Sequence, residues 1–146
     1  MKSLASAAVG TLLAATAGSA QAAASINIVA LYNLSSGGQA SLDVPSLNGA
    51  KLKAKIINEA GGVLGGRMLK VTALDTKNDT REAAIAAKRA IAMKGVSAGI
   101  GFSDSTFVLA AAPLFQTAKI PFVTSGATSP DLPSRLRRWP NTPTTR

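Results

Sequence analysis

The chain has 146 residues, 47% of them apolar, with 16 Lys and Arg against 7 Asp and Glu for a net charge of +9, and it contains neither Cys nor His. That length and apolar fraction suit one globular domain rather than a disordered chain. Without a thiolate or an imidazole there can be no disulfide scaffold, Ser-His-Asp triad, Cys-His dyad, zinc finger or Cys-ligated iron–sulfur cluster, which removes most familiar enzyme chemistries.

The chain opens with Met1 and Lys2, an uncharged Ala- and Leu-rich run from Leu4 to Ala17, and small residues around Ala20 and Ala22. This pattern predicts a signal peptide over residues 1–22, cleaved near Ala22, and export to a bacterial periplasm. The run is short and Ala-rich for a membrane span, and with no Cys to acylate a lipoprotein is not expected.

From Ile26 onward, short β-rich runs alternate with longer helical ones. Ile26 to Leu31 reads as a buried strand, followed by a loop through Ser35, Ser36, Gly37 and Gly38. Across Pro45 to Ala60, apolar residues at Leu47, Ala50, Ala54 and Ile57 recur at helical spacing, and Gly61 and Gly62 end that helix. Met68 to Leu74 predicts a second strand. Asp79 followed by Glu82 three residues later resembles a capping box opening a helix over Thr80 to Met93, which Gly95 stops. Val96 to Ile100 predicts a third strand. A third helix is expected over Thr106 to Ala118, with Phe107, Ala110, Ala111, Leu114 and Ala118 along its apolar face and a kink or restart at Pro113. Pro121 to Thr124 predicts a fourth strand. Strands alternating with helices imply parallel pairing through right-handed crossovers, hence an α/β fold built on a doubly wound parallel sheet covered on both faces. After Leu132, three prolines and four arginines fall within fourteen residues and no period survives, so residues 133–146 read as a tail, either disordered or the product of a changed reading frame.

Several motifs come close to known chemistry and fall short. Gly61 to Gly66 followed by Arg67 and Met68 approaches a phosphate loop, but it lacks the Lys and the hydroxyl and lies after a helix rather than before one. Gly101, Phe102 and Ser103 begin a nucleophile elbow at a strand-to-helix turn, but Ser105 stands where the last glycine belongs, and no histidine is present to act as base. Asn33-Leu34-Ser35 and Asn78-Asp79-Thr80 match glycosylation sequons, which carry little meaning in a bacterial periplasm. The basic residues of the middle of the chain, Lys51, Lys53 and Lys55 with Lys88, Arg89 and Lys94, fit solvated helix faces. The six aromatics are scattered, so no nucleic-acid partner is expected.

In an open parallel sheet, ligands collect beyond the carboxyl ends of the strands. Here those loops are rich in hydroxyls: Tyr32 to Ser36, Asp75 to Asp79, Gly101 to Thr106 and Ser125 to Pro130. Small hydroxyls near helix N-termini suit a carboxylate, since each O–H and free N–H donates to it and the helix dipole favours negative charge. The same residues also serve as ordinary helix caps and turns.

The stretches Asn48-Gly49-Ala50-Lys51, Ile57 to Gly65, Asp75-Thr76 with Asp79, Gly101 with Ser105, and Ser125-Gly126-Ala127-Thr128-Ser129-Pro130 together resemble the type I periplasmic binding proteins of ABC transporters for branched-chain amino acids, the leucine-binding-protein type. The resemblance covers Ile26 to about Leu132 and implies that residues 23–132 form part of the first lobe of a two-lobed protein. Such a protein closes on a small amino acid or related carboxylate and delivers it to an inner-membrane ABC permease, with no catalysis and no cofactor. It also implies that Ser105 donates its hydroxyl to the ligand carboxylate and that Thr128 contributes its backbone N–H and side chain. A carbonyl of Gly126 or Ala127 would accept from the ligand ammonium. Leu42 would stand where relatives place an aromatic ring against the ligand. Asp104, beside the carboxylate site, would oppose an anion unless it points away. Because relatives continue into a second lobe, the expectation for this chain is a truncated fragment that binds weakly or not at all. Two other readings are a ligand-sensing domain for amides, urea or aromatic acids, and a metal-dependent periplasmic enzyme using Asp75, Asp79 or Asp104 with a divalent ion.

Overall fold

The computed structural model describes residues 24–136; the expected signal peptide and most of the Arg- and Pro-rich tail lie outside the described residues. Four strands and four helices alternate: β1 Ile26–Tyr32, α1 Ala40–Glu59, β2 Leu69–Asp75, α2 Thr80–Ala92, β3 Val96–Gly101, α3 Ser105–Thr117, β4 Phe122–Thr124 and α4 Asp131–Arg135. All pairings are parallel, in the order β2-β1-β3-β4. β1 is central and buried on both faces, which is why it reads as a near-continuous apolar run rather than an alternating one. Its odd residues, Val29 and Leu31, face the core formed with α2 and α3, whereas Ala30 and Tyr32 face Leu47 of α1.

The two faces are packed differently. α2 buries only alanines, Ala83, Ala86, Ala87 and Ala90. Bulk on that face comes instead from four phenylalanines, Phe102, Phe107, Phe115 and Phe122, whose neighbouring ring centroids lie 4.8 to 6.1 Å apart. On the opposite face α1 contributes Leu47 and Ala54, and leaves Leu52 and Ile56 exposed.

Three elements depart from the sequence expectation. α1 begins at Ala40, five residues before Pro45, with its first turn closed by N–H donations to Gly37, Gly38 and Gln39 carbonyls. A proline is tolerated there because the helical acceptor it leaves without a donor, the Ser41 carbonyl, belongs to an exposed residue near the helix end. α3 runs through Pro113 without a restart and buries Phe107, Val108, Ala111, Ala112 and Phe115, a face rotated from the expected one, which ran through Ala110, Leu114 and Ala118. The larger Phe115 and Val108 take the core. Finally, the short helix α4 crosses Leu132, beyond which no helix was expected, and buries that leucine against α3.

At its carboxyl end β3 passes so close to β1 that a Cβ on Gly101, at φ +145°, would overlap the Leu31 carbonyl. The next residue, Phe102, is held at φ +56°, an uncommon conformation for a bulky side chain, with its N–H donating to Leu31 O at 3.1 Å. From these ends the chain enters α1 on one face of the sheet and α3 on the other, so the crevice of the parallel sheet opens between β1 and β3.

Truncating Phe115 to Ala should cost about 3–5 kcal/mol in urea denaturation, because it empties the aromatic core. Leu52→Ala, at a position 58% exposed, should stay within about 0.5 kcal/mol of the parent; equal losses at the two sites would contradict this packing.

Candidate functional site

The loops that follow the four strands are joined by hydrogen bonds between side chains and backbone. Asn33, directly after β1, is fully buried, as are Thr76 after β2 and Asp43 in the first turn of α1. A buried polar group must find partners or forfeit its hydration, and each of these three does. The Asn33 Oδ1 accepts from Thr76 Oγ1 at 2.5 Å and from the Asn78 N–H at 2.7 Å. Asp43 accepts from the Asn33 N–H on Oδ2 at 2.8 Å and from the Ser103 hydroxyl on Oδ1 at 2.5 Å. Three strand ends and the start of α1 are thereby tied into one piece.

Asp75 fastens the loop after β1 from below. Its carboxylate accepts from the Leu34 and Lys77 N–H groups, each at 2.9 Å, and from the Ser35 hydroxyl. Burial alone would push this carboxyl up, but the hydrogen bonds from Ser35, Leu34 and Lys77 outweigh it and hold the group below its ordinary value.

The next cluster lies where α3 begins. The Ser105 Oγ accepts from the Ser129 N–H at 3.0 Å, which draws the loop after β4 onto the first residue of α3. Gly126 of the same loop packs on Ser103: a Cβ at Gly126 would stand 3.3 Å from the Ser103 Cα. Ala127 turns inward and packs against the core, anchoring the loop. Ser105, Gly126, Ala127 and the residue next to Thr128 are therefore brought together at the carboxyl ends of β3 and β4, with Thr128 itself exposed. Leu42 stands apart from this hydrogen-bonded cluster, 56% exposed on the first turn of α1, while its neighbour Asp43 points inward.

Asp75, Asp79 and Asp104 each accept hydrogen bonds from the protein's own donors. Asp79 accepts from the Glu82 N–H at 2.9 Å and so caps α2 as the sequence pattern predicts. Asp104 accepts from the Thr106 N–H at 2.7 Å and caps α3. Its charge is turned to the helix terminus, and it occupies one of the N–H groups that a bound anion could have used. Among the described residues no three His, Cys, Asp or Glu side chains gather as a metal site, and no helix is long and apolar enough to cross a membrane.

Asp43 escaped the sequence reading, although a signal was present. It lies four residues before Leu47, on the same buried stripe of α1 as Leu47 and Ala54. A carboxylate on the apolar face of a helix demands partners, and those partners turn out to be Asn33 and Ser103.

Comparison with known proteins gives a consistent picture. The family model described as "Periplasmic binding protein" matches residues 25–145. A Leu/Ile/Val-binding protein homolog 8 from Brucella suis is 33% identical over 131 residues, covering 88% of this chain and 31% of its own length. The chain thus spans about a third of the length of the curated relatives it matches. Among solved structures, the branched-chain amino acid transporter substrate binding protein LivJ from Streptococcus pneumoniae, in complex with isoleucine, superposes with a TM-score of 0.71 at 30% identity, over 75% of this chain and 31% of that one. The leucine binding protein LivK from Thermotoga maritima superposes with a TM-score of 0.61 at 31% identity, over 72% of this chain and 29% of that one.

The depressed Asp75 carboxyl stabilises the fold above its unfolded-state value of about 3.8, and that stabilisation is lost as the pH falls through the lower folded-state value. Chemical denaturation at pH 7 and at pH 3 should therefore show a smaller acid-induced loss for Asp75→Asn than for the parent. An identical loss in both would contradict the role given to these hydrogen bonds.

Proposed function

Because this chain belongs to the periplasmic binding protein family, with the α/β fold of its type I members, we propose that it supplies the carboxylate-reading wall of a substrate-binding protein for branched-chain amino acids. In this reading the protein works in the periplasm and hands its ligand to an inner-membrane ABC permease. The observation that carries it is the hydrogen bond from the Ser129 N–H to the Ser105 Oγ. A hydroxyl has two lone pairs and one proton. With an oxygen lone pair taken by Ser129, the Ser105 proton remains to donate, which is what a ligand carboxylate requires. The Thr128 N–H and hydroxyl lie on the adjoining residue, and the Gly126 or Ala127 carbonyl is the acceptor for the ligand ammonium. Leu42, exposed on α1, forms the part of the wall nearest the ligand side chain.

The relatives' names support an amino acid: the LivJ structure holds isoleucine, and a second substrate-binding protein, from Desulfitobacterium hafniense, is described in complex with Leu. The described residues form one wall, so a ligand resting on them stays hydrated on its far side and its charges interact through a high dielectric. Affinity of this chain alone is accordingly weak.

Titration of the chain with leucine, isoleucine and valine, followed by amide NMR shifts, should move Ser105, Thr128 and Ser129 with a Kd of about 1 mM or weaker. Ser105→Ala should weaken leucine about tenfold, the loss of one hydrogen bond to a charged group. Shifts confined to residues elsewhere, or none at all, would refute the reading; micromolar binding would show that a second wall is unnecessary.

A further inference from the structure

Two serines two residues apart at the carboxyl end of β3 are wired in opposite senses. The Ser105 Oγ accepts from a backbone N–H, and among the described residues its proton goes to no acceptor. The Ser103 Oγ donates to Asp43, so its proton is spent and only lone pairs remain. This follows from chemistry as well as distance: an ionised carboxylate cannot donate, and the other Asp43 oxygen is already held by the Asn33 N–H. Ser103 is only partly buried, and it lies against Gly126, whose carbonyl is one of the two acceptors proposed for the ammonium.

The geometry points to Asp43 as the residue that sets ligand orientation: it locks Ser103 as an acceptor for the donor end of a zwitterion, beside Gly126, and leaves the carboxylate end to Ser105. Asp43 is a positioning residue that touches no ligand itself. The inference rests on the proposed amino-acid site and adds to it the residue that tells one end of the ligand from the other. The buried negative charge acts in the same sense, since at short range it favours an ammonium and disfavours a carboxylate at Ser103.

The isosteric change Asp43→Asn isolates this polarity. The Asn33 N–H can only donate, so the new amide must turn its oxygen to Asn33 and its NH2 to Ser103. The Ser103 oxygen then accepts, and its proton is released toward the ligand. One substitution of nearly unchanged shape thus converts Ser103 from acceptor to donor.

The experiment uses the full chain and has a ligand-free arm and a binding arm. Without ligand, the parent's Ser103 hydroxyl proton should exchange with water slowly enough to give its own NMR signal, unlike that of Ser105. In Asp43→Asn that signal should vanish while protection of the Asn33 amide persists. A parent Ser103 proton that exchanges as fast as that of Ser105, or a signal that survives in Asp43→Asn, overturns the inference whatever the chain binds. In the binding arm the probes are leucine, 3-methylbutylamine, which lacks the carboxylate, and 4-methylpentanoate, which lacks the ammonium. Asp43→Asn should weaken leucine and the amine about tenfold each while leaving 4-methylpentanoate unchanged or tighter. Equal weakening of all three would mean a merely structural role and would also overturn it. If Asp43→Asn does not fold, Ser103→Ala should show the same loss for the amine with 4-methylpentanoate unchanged. If the parent takes none of the probes yet shows the slow Ser103 proton, the amino-acid reading fails and the wiring stands.

Discussion

A carboxylate with no access to water has to be satisfied by the protein, and Asp43 is satisfied by two donors from different strand ends, the Asn33 N–H and the Ser103 hydroxyl. Removing one partner of such a buried pair leaves a charge unpaired, at a cost well above the net worth of the bond. The loops after β1 and β3 are therefore not independent turns. They move, if at all, with the first turn of α1, and through Asn33 with the loop after β2. The candidate site is built on this crown.

The sheet beneath divides its labour between its faces. The α2 and α3 face carries the alanine stripe and the phenylalanine cluster, and the phenylalanines Phe102 and Phe107 flank the Ser103 to Ser105 turn in sequence. Phe102 is fully buried at positive φ immediately before that turn, so its aromatic packing holds a backbone conformation that aims Ser103 toward α1. Stability and recognition are thus linked in one short segment: the ring is fixed by the core, and the serines that follow are presented at the strand ends. The opposite face is thinner, with Leu47 as the large apolar residue that α1 buries, and it is Asp43, one turn earlier, that secures that helix to the crown.

Much of this was legible in the sequence because the determinants are local. The short β-rich runs and the helical three-to-four spacing located the four strands and first three helices to within a residue or two at most ends, and the Asp79 half of the capping pattern is present as a hydrogen bond from the Glu82 N–H. The misses share a cause, which is that tertiary partners decided them. α1 starts early because Asp43 is drawn inward by Asn33 and Ser103, a pull that Pro45 does not signal. The buried face of α3 is chosen by where Phe115 finds Phe122, not by the most regular apolar spacing. In the site, the hydroxyl-rich loops were visible, and the hydrogen bond joining Ser105 to the loop of Thr128 adds the geometry. What the sequence could not show is the direction of each hydroxyl proton, because that depends on residues ten and sixty positions apart along the chain.

The central claim is that the crown distinguishes the two ends of a zwitterion, with Ser105 reading the anion and Ser103 the cation. The most direct measurement is a crystal structure of the protein with leucine bound. The account predicts the leucine carboxylate within hydrogen-bond distance of the Ser105 Oγ and its ammonium within that distance of the Ser103 Oγ, with the Asp43 to Ser103 contact intact. A carboxylate seated on Ser103, or leucine bound away from both serines, would contradict it.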